Sequence, residues 1–174
     1  NFQRHKKARE VLNLDWVMVF PREEPIDIDV GKDGVVTQKN VWGVVTKASK
    51  EVTHFSEPPI KSPDEITKYE FPKPTDFKYD NMKKWIEKSD FAVLPQLDAG
   101  FFKINQLTGF EEYMYYIYEH PNKMHELMEK YTEHEIAMCD HLIDMGVTVP
   151  LIANDYAYNN GTFMDPKLMW EFDF

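Results

Sequence analysis

Positive charge is in short supply in this chain. Against 30 Asp and Glu stand 20 Lys and Arg, a formal net charge of −10. Nucleic acid and anionic membrane surfaces are held by clustered cations, so neither is an expected partner. Cysteine is nearly absent. Cys139 stands alone, which excludes an intrachain disulfide and makes a reducing, cytoplasmic setting the default. No apolar run approaches the roughly 20 residues that a bilayer-spanning helix needs. There is no Gly-rich phosphate loop and no Gly-x-Ser-x-Gly elbow, and the lone thiol has no base at a suggestive spacing. These absences leave a small-molecule enzyme or an interaction module.

What is present suits a globular α/β chain. Hydrophobic residues make up 43% and aromatics 14% of 174 residues, enough for one domain with its own core. Residues 4–13 are basic and helical in pattern, and residues 15–20 read as a strand stopped by Pro21. Residues 26–30 alternate apolar and acidic side chains, the pattern of a half-buried strand. Val, Thr and Trp over 35–55, punctuated by Asp33-Gly34 and Trp42-Gly43, predict a β-hairpin or small meander outside the main architecture. The β-rich insertion thus covers about residues 26–57, and β/α units follow over about 58–174.

Ser62-Pro63-Asp64-Glu65 opens a short helix, and a second runs from about Asn81 to Lys88. Residues 91–97 read as a strand, although Pro95 is awkward in a sheet centre. Asp98 to Phe102 then form a loop at its C-terminal end. Gln106 to Tyr118 is helical, and residues 121–145 form the longest helix. Its apolar face is Met124, Leu127, Met128, Tyr131, Met138, Leu142 and Met145, closed by Gly146. Strand, helix pair, strand, loop, helix is the order of parallel strands joined by helical crossovers. A (β/α) barrel and a doubly wound sheet both fit. The helix opened by Asp165-Pro166 has Leu168, Met169, Trp170 and Phe172 to bury and needs neighbours to do so, which leads us to expect part of a larger domain.

The chemistry concentrates in residues 147–174. A short apolar run there suits a strand buried on both faces, and it ends in Asn154-Asp155-Tyr156. Strand C-termini carry the chemistry in α/β proteins because their loops converge on one crevice. Asp155 is therefore the candidate acid, flanked by the Asn154 amide and the Tyr156 phenol. An Asp that only caps a turn is the other reading of the same spacing. Asn159-Asn160-Gly161 is a turn, and Asp165-Pro166 opens a helix. His120, His125, His134 and His141 lie on or near the long helix with Cys139, but no helical spacing joins Cys139 to them, so solvated or core-edge histidines are expected. The pairs Glu23-Glu24 and Glu111-Glu112 read as solvated faces, and the methionines as core filler.

Four ordered segments resemble the uroporphyrinogen decarboxylase superfamily. They are Val41-Trp42-Gly43-Val44-Val45 with Pro58-Pro59-Ile60 and the stretch 64–72; Gly100-Phe101-Phe102 leading to Leu107-Thr108-Gly109-Phe110-Glu111; His120-Pro121 opening a helix that ends at Met145-Gly146; and Asn154-Asp155-Tyr156-Ala157 through Met164-Asp165-Pro166 and Trp170-Glu171-Phe172. The resemblance implies a (β/α)8 TIM barrel, of which this chain holds roughly the first half, paired as a homodimer. The last segment looks more like the methyltransferase-like branch, in which many relatives read Asp-Asp-x-Gly; here Asn154 and Ala157 stand for the first Asp and the Gly. That branch implies methyl transfer from a methyl-corrinoid, carried by a corrinoid protein, to a thiol or related acceptor, with Asp155 as the catalytic residue that orients or polarises the substrate, Asn154 and Tyr156 lining the site and Phe101 and Phe102 walling it. It also implies a zinc ion whose His-x-Cys and Cys ligands lie past Phe174. The alternatives are uroporphyrinogen decarboxylation, a cofactor-free lyase step of porphyrin biosynthesis, and a non-catalytic barrel.

Overall fold

The computed structural model describes residues 2–147 and 149–172. Its frame is a three-stranded parallel sheet in the order β1-β6-β7, with β1 at Trp16–Val19, β6 at Ala92–Asp98 and β7 at Leu151–Ala153. Helix α1 (Phe2–Val11) precedes it. Strand β6 is the hinge of the sheet. Its first half pairs with β1, ending at Val19 opposite Pro95, and its second half pairs with β7, starting at Gln96 opposite Leu151. Pro95 sits where one partner hands over to the other, which is how a central strand tolerates it.

Between β1 and β6 the chain makes an antiparallel meander of β2 (Asp27–Val30), β3 (Val36–Lys39), β4 (Val45–Ala48) and β5 (Thr53–Glu57). The expectation of a half-buried strand at residues 26–30 does not hold: all four residues of β2 are exposed. An alternating pattern buries a face only when a layer covers it, and β2 is the meander's outer edge. The turn between β3 and β4 is the part that reaches the core. Asn40 Oδ1 accepts the N–H groups of Trp42 and Val44, and Tyr69 donates its hydroxyl to the Trp42 carbonyl. Trp42 and Val44 are thereby driven inside, at 5% and 1% exposure.

Helices supply the crossovers. After α2 (Pro63–Ile66) and α3 (Asp80–Lys88), strand β6 runs directly into α4 (Gly100–Thr108), followed by α5 (Phe110–Glu119) and α6 (Pro121–Asp144). The loop expected at Asp98 to Phe102 is thus a strand end and a helix start. Ala99 donates its N–H to the Ala153 carbonyl on β7 and accepts from Lys103 N–H, so the helix begins one residue past the strand. The long helix α6 buries Met124, Leu127, Met128, Tyr131, Met138 and Leu142 against the rest of the core. Gly146 closes it at φ +94°. Strand β7 is an edge among the described residues, so Ile152 and Val149 stay exposed and the expected burial on both faces is not seen. Thr148, inside that expected strand, lies outside the described residues. A small hairpin of β8 (Ala157–Tyr158) and β9 (Gly161–Thr162) follows, then α7 (Pro166–Phe172), whose start is capped by Asp165 Oδ1 accepting from Lys167 N–H. Parallel strands with helical crossovers are the repeating unit of a (β/α) barrel. Closure into eight strands is not present among the described residues.

The helix expected over Gln106 to Tyr118 is broken in two by Gly109. This residue takes φ +92° and ψ 144°, a conformation essentially reserved for glycine, while its carbonyl starts α5 by accepting from Tyr113 N–H. Gly109→Ala should therefore lower stability by about 1–3 kcal/mol. The Cβ would also meet Glu112 Oε2 at 2.5 Å, but that is the movable end of a side chain, so backbone strain dominates. Urea unfolding checks this, and an unchanged midpoint would mean that the break relaxes into continuous helix.

Candidate functional site

Parallel pairing brings the C-terminal ends of β1, β6 and β7 side by side. Asp98 ends β6, and Asn154 and Asp155 follow β7. Asn154 Oδ1 accepts the N–H of Phe102, in the first turn of α4, and the N–H of Asp155. One amide thus ties the loop after β7 to the helix after β6. Asp155 is exposed and borders a recess of about 90 Å³ with Gln96, Asp98 and Phe102. The two strand-end carboxylates, Asp98 and Asp155, therefore share one small opening.

Of the expected lining residues, Asn154 and Phe102 meet Asp155 there. Phe101 points the other way, at 2% exposure. It stacks on Phe163 and Tyr156 at centroid distances of 5.7 and 6.0 Å and meets Tyr113 edge-on at 5.4 Å. Tyr156 belongs with Phe101 in this aromatic cluster, which backs the recess. Neighbouring helix residues cannot face the same way, so Phe101 and Phe102 divide between core and opening.

The larger polar feature is centred on Lys103, which sequence reasoning did not single out. Its side chain is 5% exposed. Nζ lies 3.0 Å from Asp98 Oδ2, 3.6 Å from Glu23 Oε1 and 4.4 Å from the Trp42 ring centroid. Glu23 accepts two further hydrogen bonds, from Trp42 Nε1 and Asn40 Nδ2, each 2.7 Å. The expectation of Glu23-Glu24 as a solvated face fails for Glu23, which is half-buried. Glu24 does face solvent, paired with exposed Arg22. The only hint in the sequence was a lysine flanked by Phe101, Phe102 and Ile104 on an apolar helix. A buried ammonium needs paired carboxylates and a ring face, and the fold gathers them from β1, β6 and the Trp42 turn.

Helix α6 closes the far side. Tyr131 donates its hydroxyl to the Asp98 carbonyl. His134 sits against the rings of Trp42 and Phe71. Burial and, less, the Lys103 charge hold its imidazole down at about 4 despite a backbone hydrogen bond at Pro72. Burial pushes the Glu135 carboxyl up to about 7; Tyr131 and Lys103 oppose that rise and Asp98 adds to it.

The other histidines go elsewhere, His125 stacking on Phe172 and His141 against Tyr79. Burial, and then Glu135 and Asp140, push the Cys139 thiol up, the opposite of an activated thiolate. Among the described residues no three His, Cys, Asp or Glu side chains are placed to hold a metal ion. No described helix is long and apolar enough to cross a membrane.

The family model described as uroporphyrinogen decarboxylase (URO-D) matches residues 36–174. That span runs from β3 onward and includes Asp98, Lys103, Asn154 and Asp155, but not Glu23. No curated protein and no solved structure matches this chain.

Proposed function

The chain belongs to the uroporphyrinogen decarboxylase family, a family of enzymes, and from that premise we propose that it serves methyl transfer from a methyl-corrinoid to a thiol or related acceptor. One observation carries this choice over decarboxylation. At the strand ends lie Glu23, Asp98 and Asp155, and the one buried cation beside them among the described residues, Lys103, is already engaged by two carboxylates. A porphyrinogen bearing many carboxylates calls for several basic side chains at the mouth. An acid-rich mouth repels such a substrate and suits a neutral acceptor that donates a hydrogen bond.

In this reading Asp155 orients the acceptor by accepting a hydrogen bond from it, and Asn154 fixes the loop that carries Asp155. Phe102 supplies an apolar wall. Asp98, held by Lys103, sets the field across the recess. The described residues do not offer zinc a ligand set, and the Cys139 thiol is held protonated. The zinc of this reading belongs to residues past Phe174, and a corrinoid protein would bring the methyl group. Elemental analysis of the full-length protein should find about one zinc per chain if thiol activation is used.

The deciding assay is methyl transfer from methylcobalamin to a thiol by the full-length protein, followed by the cobalamin absorbance. Asp155→Ala should lower turnover by about 100-fold or more with an unchanged melting temperature, the scale for losing a positioned polar group at the reacting centre. Unchanged turnover would remove Asp155 from the site. Uroporphyrinogen decarboxylation without methyl transfer would overturn the reading.

A further inference from the structure

A groove of about 610 Å³ runs along α3, from the turn after β1 to the last turn of the helix. Helix α3 packs on β1 and β6 and buries Met82 and Trp85, whereas Lys83, Lys84, Glu87 and Lys88 are exposed, so the groove lies on its outer side. It shares no lining residue with the Asp155 recess. The chain carries a net charge of −10, yet the wall of this groove holds five cations, Arg22, Lys78, Lys83, Lys84 and Lys88. Only two carboxylates, Asp80 and Glu87, stand against them.

Two juxtapositions place like charge beside like charge. Arg22 and Lys78 sit directly opposite each other on an isolated antiparallel bridge, each donating its N–H to the other's carbonyl, at 3.0 and 2.9 Å. Side chains so paired share one side of the ladder, where like charges are destabilising. Lys84 and Lys88 stand four apart on α3, the helical counterpart of the same arrangement. Arg22 has a partner, exposed Glu24. Among the described residues the four lysines form no ion pair. Even Asp80 and Lys84, at a spacing that favours an acid–base pair, do not close one. A bound anion relieves both clashes.

Size and spacing set the class of that anion. The volume is that of a small-molecule pocket. A long polyanion would extend over a chain whose remaining charge is strongly negative, whereas a compact one senses chiefly the cations within a screening length of about 8 Å. Cations in a row match several anionic groups in a row, and lysine binds phosphate as a point charge. Phe20, directly after β1, is 57% exposed and gives the groove one aromatic face. We propose that this groove binds a compact oligophosphate, its oxygens accepting from Lys78, Lys83, Lys84 and Lys88, with Phe20 as the face for a ring attached to it. The site does not depend on methyl transfer, and its occupation is read without turnover, so either reading can fail alone.

The test is calorimetric titration of the full-length protein with inorganic tripolyphosphate and with adenosine triphosphate, without divalent metal and against matched sodium chloride. We expect saturable binding at one site per chain that weakens as salt rises from about 0.05 to about 0.2 M. Lys83→Gln/Lys84→Gln should weaken tripolyphosphate at least about tenfold, the scale of losing charge-assisted contacts. Lys32→Gln/Lys50→Gln removes as much charge from exposed positions outside the groove and should leave the affinity unchanged. Phe20→Ala distinguishes two sources of the same chemistry. Weakening of adenosine triphosphate alone identifies a nucleotide, and no change for either ligand identifies the bare oligophosphate. All these side chains are exposed, and unchanged melting temperatures without ligand check that each variant folds. Heats equal to those of sodium chloride would overturn the proposal, as would unchanged affinity in Lys83→Gln/Lys84→Gln. An equal loss in the two lysine variants would also overturn it, by reducing the effect to net charge. So would tighter binding of a long single-stranded DNA than of tripolyphosphate, which would make the groove part of a macromolecular surface.

Discussion

Lys103→Met should destabilise the full-length protein by about 2–4 kcal/mol, the largest effect expected of any single surface-distant substitution here. The lysine side chain is 5% exposed, whereas Asp98 and Glu23 are 29% and 32% exposed. Removing the ammonium leaves two carboxylates close together with no cation between them. Breaking a fully buried pair costs about 3–5 kcal/mol; partial access of water to Asp98 and Glu23 lowers the figure. Two further losses add to it: the cation over the Trp42 ring and the anchor that holds Glu23 against Trp42 Nε1. Urea unfolding measures the cost. Asp98→Asn in the Lys103→Met background should recover about half, because one uncompensated charge disappears. Arg22→Ala, which breaks an exposed pair with Glu24, should cost no more than about 0.5 kcal/mol. A loss for Lys103→Met as small as that of Arg22→Ala would mean that the network is solvated in solution.

A second large effect concerns pH, and it is hidden in the wild type. Between about pH 4.5 and about pH 7 the folded protein keeps a proton on Glu135 that the unfolded chain has released. That contribution to stability falls as pH rises through the window. His134 does the reverse. Its folded value near 4 lies below the ordinary 6.5, so the unfolded chain takes up a proton first and stability is lost as pH falls from 6.5 toward 4. From about pH 4.5 to 6.5 the two slopes oppose each other, one proton against one. Glu135→Gln removes one of them, so its stability relative to wild type should rise by about 2–3 kcal/mol across that window. His134→Phe should show the opposite trend. Melting curves at pH 4.5, 5.5 and 6.5, read as variant minus wild type, check both. Flat differences for both variants would show that neither group is buried as described.

The sequence made local features legible because their causes are local. The stripe of Met124, Leu127, Tyr131, Met138 and Leu142 gives α6, and Asp165 before Pro166 gives the start of α7. Pairing of parallel strands through helical crossovers follows from the element order. Asn154, Asp155 and Phe102 do share one recess. Phe101 and Tyr156 share a place too, but in the aromatic cluster behind it. The break at Gly109 was missed because the surrounding residues keep helical character on both sides. Only the backbone of Gly109, at φ +92° and ψ 144°, shows that the chain bends there.

Residue order thus determined which segments become helix or strand, the strand-end position of Asp155, the acidic balance and the family to which the chain belongs. Tertiary structure alone decided that Glu23 leaves solvent while Glu24 stays in it. It also decided that Lys103 becomes the one ammonium shared by Glu23 and Asp98, and that the side chains of His134 and Glu135 lie largely out of water. The physical reason is that side-chain charge energetics depend on distance and on the exclusion of water. Both quantities are fixed only when β1, the Trp42 turn, β6 and α6 meet.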